Sequence, residues 1–119
     1  MSAYTIINFN MNNNDAAVKT TEIIKRVAAK RTPEFETEIE AFTSSLKIEE
    51  NVITGESDSL SSNTFCELIP QIMMEIARYN FGVSTMTAVH VSCSCGYEAV
   101  FNGRIFKNGK FRMSFHEHE

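Results

Sequence analysis

The stretch TMTAVHVSCSCGYEAVFNGRIFKNGKFRMSFHEH, from Thr85 to His118, decides the fold because it contains three strand-like segments separated by glycine-containing turns. We expect strands over 85–93, 97–106 and 110–118. Each of the two turns ends in a glycine, which can adopt a positive φ angle. The stretch is therefore predicted to form a three-strand antiparallel meander.

Three-residue turns at 94–96 and 107–109 fix a register for this meander. In that register Val89 lies opposite Phe101, and Phe101 lies opposite Phe115. The apolar residues of the three strands then share one face of the sheet. The other face carries polar side chains, including His90, and is expected to be open to solvent.

The residues before the meander alternate between strand-like and helix-like patterns. The segment 3–11 is short, β-branched and aromatic, which predicts a first strand. Apolar residues at helical spacing predict helices over about 14–31 and 64–82, the second kinked at Pro70. A small hairpin is expected over 46–55.

The segment 33–43 fits two patterns. Phe35, Ile39 and Phe42 fall on one face of a helix, whereas four glutamates alternate with the intervening residues as they would in a strand. Glutamate is depleted in strands, so we expect a short helix.

The predicted order is strand, helix, short helix, hairpin, helix and meander in a chain of 119 residues. This length fits one domain, so 1–119 is expected to fold as a single unit. Helices would cover the apolar face of the sheet. The predicted class is α+β, an antiparallel sheet with helices packed on one face, ferredoxin-like and ending in the three-strand meander.

A set of hairpin and turn motifs lies between Leu46 and Arg112. They are ITGES at 53–57, a helix containing Pro70, GYE at 96–98, FNG at 101–103 and KNGK at 107–110. In these features the chain resembles the small ferredoxin-like domains of uncharacterised phage- and plasmid-encoded proteins. The tryptophan usual after the hairpin in that family is absent here. The resemblance implies a ferredoxin-like fold and a mobile-element origin, and it implies no catalytic residues.

The charge of the chain is acidic overall and uneven along its length. Eleven basic residues against fifteen acidic residues give a net charge of −4, which argues against a nucleic-acid-binding role. Residues 34–58 contain eight acids and one base, whereas residues 104–112 contain four bases and no acid. An acidic segment of this kind favours a basic protein partner.

The sequence also predicts where the protein works. No apolar run is long enough to span a membrane, and the first residues lack the pattern of a secretion signal. We therefore expect a cytoplasmic protein with no membrane partner and with reduced cysteines. No catalytic set and no phosphate-binding glycine loop is recognisable, so neither an enzyme nor a cofactor is expected.

These observations predict a non-enzymatic protein-interaction module. We expect a small phage or prophage accessory protein that binds or inhibits a host protein, such as a basic nucleic-acid-binding protein, through an acidic surface. The expected contact residues are four alternating glutamates, Glu34, Glu36, Glu38 and Glu40.

Three other features stay open. Two cysteines and two histidines near strand ends form an alternative zinc site: Cys93, Cys95, His116 and His118. An aromatic residue flanked by bases on the open face forms an alternative nucleic-acid surface: Arg104, Phe106 and Arg112. The last strand, over 111–115, is an edge that can pair with a second copy, which would give a homodimer.

Overall fold

The computed structural model describes residues 3–30, 36–92 and 96–118, with only the backbone described at 36 and 37. Nine helices and strands lie in these ranges. In chain order they are β1 (Ala3–Asn10), α1 (Asn14–Ala29), α2 (Glu36–Ser44), β2 (Lys47–Glu49), β3 (Val52–Ser57), α3 (Ser62–Arg78), β4 (Ser84–Ser92), β5 (Tyr97–Ile105) and β6 (Phe111–His118). The predicted α+β class is therefore confirmed.

Helices α1 and α3 begin at side-chain caps. The Asn13 side chain accepts a hydrogen bond from the Ala16 amide at 2.8 Å, and the Ser61 hydroxyl accepts one from the Thr64 amide at 3.1 Å. Each cap satisfies an amide that the first helical turn leaves without a partner. The short helix expected after Pro33 is confirmed over 36–43, while 33–35 lies outside the described residues.

The strands form one six-stranded sheet in the order β2-β3-β1-β4-β5-β6, and every neighbouring pair is antiparallel. Side chains on one face of the sheet pack against the helices, as those of Ile7 and Phe9 in β1 do. Phe65 and Ile72 are the corresponding buried residues of α3. We call the other side of the sheet the open face, because the β1 side chains that point there are all exposed.

The register between β5 and β6 agrees with the sequence prediction. Phe101 pairs with Phe115 and Ile105 pairs with Phe111. The centroids of the Phe101 and Phe115 rings lie 4.6 Å apart, so this cross-strand pair makes direct contact. Gly109 has a φ of +85° in the connecting turn, the left-handed conformation for which glycine is best suited.

The register between β4 and β5 differs by one residue from the prediction. Ser92 pairs with Tyr97 and Val89 pairs with Val100, so four residues, 93–96, connect the strands instead of three. A shift of one residue moves every side chain of a strand to the opposite face. The prediction that His90 lies on the open face is therefore wrong, because His90 is fully buried on the helix side.

The packing predicts a difference between two neighbouring positions of α3. Ile72 is fully buried, whereas Met74 is 55% exposed. Ile72→Ala should lower the free energy of unfolding by about 2–5 kcal/mol, because it leaves a cavity in the core. Met74→Ala should change it by less than about 0.5 kcal/mol. Urea titrations followed by circular dichroism test this, and equal losses for the two variants would contradict the orientation of α3.

Candidate interaction surface

The centre of the open face is apolar. Ile6 pairs with Val89, which pairs with Val100, and beside this row Tyr4 pairs with Val91. We call these five residues the apolar band. Tyr4 and Ile6 are 42% and 43% exposed, and the three valines are half-buried. The band was missed by the sequence prediction because the predicted register placed Val89 and Val91 in the core.

Basic residues occupy the end of the open face formed by β5 and β6. Arg104 and Arg112 pair directly across the two strands, and their guanidinium groups lie 5.1 Å and 6.0 Å from the centre of the Phe106 ring. We call these three residues the basic corner, and it is the surface that the sequence predicted on the open face. Opposed like charges destabilise a strand pair. Within the described ranges, however, neither guanidinium has a carboxylate partner that would offset this repulsion.

A shallow groove of about 440 Å³ on the open face is lined by all three residues of the basic corner. Its uncharged polar side chains come from β4, β5 and β6 and are Thr85, Thr87, Asn102 and Ser114. Thr87 donates a hydrogen bond to the Asn102 amide oxygen at 3.3 Å, so part of this polarity is satisfied within the sheet. The groove therefore places hydroxyl and amide groups next to the two arginines.

Two acids and one base occupy the opposite end of the open face. Lys47 and Glu49 are exposed on β2, and Glu56 lies on β3. The Tyr4 hydroxyl donates a hydrogen bond to the Glu56 carboxylate at 2.6 Å, which raises the pKa of Tyr4. The open face thus has an apolar centre, an acidic end on β2 and β3, and a basic end on β5 and β6.

Two of the four glutamates that the sequence singled out have described side chains, and neither is part of this face. Glu38 and Glu40 lie on α2, which packs against α1 and β3. The half-buried Glu38 carboxylate accepts a hydrogen bond from the Ser61 amide at 3.3 Å, whereas Glu40 is exposed. Glu34 and the side chain of Glu36 lie outside the described residues.

The alternative zinc site is described only in part. His116 and His118 are exposed on β6, and His118 pairs with Glu98 as the sequence predicted. Cys93 and Cys95 lie outside the described residues. Among the residues that are described, no group of three or more histidine, cysteine, aspartate or glutamate side chains could hold a metal ion.

His90 is the one histidine in the core of the described chain, and it links three elements. Its Nδ1 lies 2.9 Å from the Thr5 hydroxyl in β1, and its Nε2 lies 3.1 Å from the Ser62 hydroxyl at the start of α3. The ring also stacks on Phe65 with 5.2 Å between centroids. Burial lowers the pKa of His90, because the charged ring would lose its hydration.

A serine hydrogen-bonded to a neutral histidine resembles two members of a catalytic triad, whose third member is a carboxylate that orients the ring. In the described residues no carboxylate is hydrogen-bonded to the His90 ring, and Thr5 takes the orienting position instead. Thr5 is also fully buried. The two hydrogen bonds of the ring therefore link β4 to β1 and to the start of α3.

Comparisons with known proteins add no relative to this description. No family model matches the chain, no curated protein matches it, and no solved structure matches it.

The buried His90 predicts a dependence of stability on pH. Its pKa in the folded chain is below the ordinary value of 6.5, so the unfolded chain takes up the proton first as pH falls. Stability should be fully present above pH 6.5 and should decrease as the pH is lowered through and below that value. Urea unfolding midpoints between pH 7.5 and pH 5 measure this decrease.

Two variants assign the effect. His90→Gln should lose most of this pH dependence, whatever its stability at pH 7.5, because the titrating group is gone. His116→Gln is the matched control, since His116 is exposed, and it should keep the pH dependence of the unaltered protein. An unchanged pH dependence in His90→Gln would contradict the assignment.

Proposed function

We propose that this chain is a non-enzymatic protein-binding module whose binding surface is the open face of the sheet. The apolar band is the observation that carries the proposal, because its aromatic and aliphatic side chains lie together on the face that the helices leave uncovered. Removing such side chains from water contributes about 25 cal/mol per Å² of apolar surface, from which the entropic cost of association is subtracted. A protein surface that covers the band would supply this burial.

The pattern around the band supports a protein as the occupant. Protein interfaces have an apolar core and a polar, solvent-accessible rim. On the open face the band is bordered by Glu56 on β3 and by His116 on β6, and the basic corner lies four residues farther along β5 and β6. Such a surface offers a partner both apolar area and charges of either sign. None of the described helices has the length and apolar composition needed to cross a membrane.

The wider predictions from the sequence remain part of the proposal. They are a phage or plasmid origin, a cytoplasmic location and the inhibition of a basic host protein. The last agrees with the acidic segment 34–58, of which Glu40 is an exposed member. The order β2-β3-β1-β4 with α1 and α3 as connections supports a ferredoxin-like core to which β5 and β6 are added.

Photo-crosslinking from inside the living cell tests the binding surface. A photoreactive phenylalanine analogue replaces Ile6 in the apolar band, or Met74 on α3 as the matched exposed control. We expect covalent adducts with a protein from position 6 and none from position 74. Val89→Glu, which places a charge in the band, should remove the adduct. No adduct from position 6, or equal adducts from both positions, would contradict the proposal.

A further inference from the structure

We propose that the occupant of the open face is a second copy of this chain, packed face to face about a two-fold axis. The axis runs along the strands between β1 and β4, at the middle of the sheet. This inference rests on the proposed function, since it names the partner of the same surface. It is carried by the way in which charge is distributed across the sheet.

Residues that pair directly across the sheet form a row, which we call a level. The strand order places opposite charges at the two ends of one level of the open face. Pairing across the sheet runs from Glu49 on β2 through the central strands to Arg104 on β5 and Arg112 on β6. Glu49 has no basic partner among the described residues, and neither arginine has an acidic one. At this level, the β2 edge of the open face carries a carboxylate without a basic partner. The opposite edge, on β5 and β6, carries two guanidinium groups without an acidic partner.

The proposed axis makes these groups meet. It exchanges the two halves of the sheet and leaves the level along the strands unchanged, so β2 of one copy faces β6 of the other. Glu49 then faces Arg112 of the second copy, and the symmetry repeats this contact at the other end. In the middle, Ile6 faces Val89 of the second copy and Tyr4 faces Val91 of the second copy.

A two-fold axis across the strands would give a poorer match. Placed at the middle of the four open-face levels of β1, it would keep each strand over its own copy and reverse the level, so that Ile6 would face Asn8 and Tyr4 would face Asn10. Arg112 would then face His118, while Arg104 would face Glu98 of the second copy. The apolar band would be covered by polar side chains, so the axis along the strands is favoured.

The size of the open face agrees with a stable dimer. Six strands about 4.8 Å apart and about seven residues long give roughly 650 Å² per copy, or about 1,300 Å² in total. Specific interfaces bury about 1,200–2,000 Å². Antiparallel sheets in sandwiches pack with their strands within about 30° of each other. This angle displaces facing residues sideways, and arginine and glutamate side chains are long enough to bridge that displacement.

The experiment is sedimentation velocity of the full chain over about 1–500 µM, because a dimer depends on the concentration of its protomers. We expect a concentration-dependent dimer. Glu49→Arg and Arg112→Glu should each raise the dissociation constant about ten-fold or more, because each reversal creates two repulsive contacts in the dimer. The double variant, in which the charges are exchanged, should return it to within about three-fold of the unaltered protein.

Two further variants complete the test. Ile6→Glu should give a monomer, because it places a charge in the apolar centre of the interface. Glu22→Arg changes an exposed charge on α1, on the helix side, and should leave the dimer unchanged. Recovery in the double variant also shows that the single variants had not simply failed to fold.

Several results would overturn the proposal. A monomer at every concentration would do so, and an adduct between position 6 and a different protein would then leave the proposed function intact. A dimer that survives Ile6→Glu but is lost in Met113→Pro would assign association to the edge of β6, because the Met113 amide points away from β5. A monomer that binds a single-stranded oligonucleotide through Arg104 and Arg112 would assign the basic corner to nucleic acid.

Discussion

The hydrogen bonds of His90 hold the arrangement on which the rest of the structure depends. One ring nitrogen lies against Thr5 and the other against Ser62, so a single side chain joins the two central strands to the start of α3. The two bonds satisfy both nitrogens of the buried ring, and an unsatisfied polar group in the core would be costly. They are available only when β4 has the observed register, and that register also places Val89 and Val91 on the side away from the helices.

The functional surface follows from this constraint. With His90 inward, β4 contributes Met86 and Ala88 to the core and two valines to the open face. The valines join Ile6 and Tyr4 to form a continuous apolar band across the central strands. The same sheet order separates the acidic end from the basic end. The register of β4 therefore determines both the packing of the core and the chemistry of the open face. Because His90 lies in the core, Val89 and Val91 lie on the open face and make it suited to association.

Much of the fold could be predicted from the sequence, since helical spacing located α1 and α3 and the Phe101–Phe115 pairing set the register of β5 and β6. The faces of β4 could not be predicted. Each of its two alternating sets mixes apolar and polar residues, and four residues instead of three separate β4 from β5, so periodicity did not decide between the sets. The basic corner was predicted because it depends only on β5 and β6, whereas the apolar band depends on β4 and was missed.

The most direct measurement is the set of nuclear Overhauser contacts made by the Val89 methyl groups in solution. If β4 has the described register, these methyls show contacts to Ile6 and Val100 and none to the Phe65 ring. Contacts from Val89 to Phe65 or to Ile72 would place Val89 in the core and His90 on the open face. That result would remove the apolar band and, with it, the surface on which association is proposed to depend.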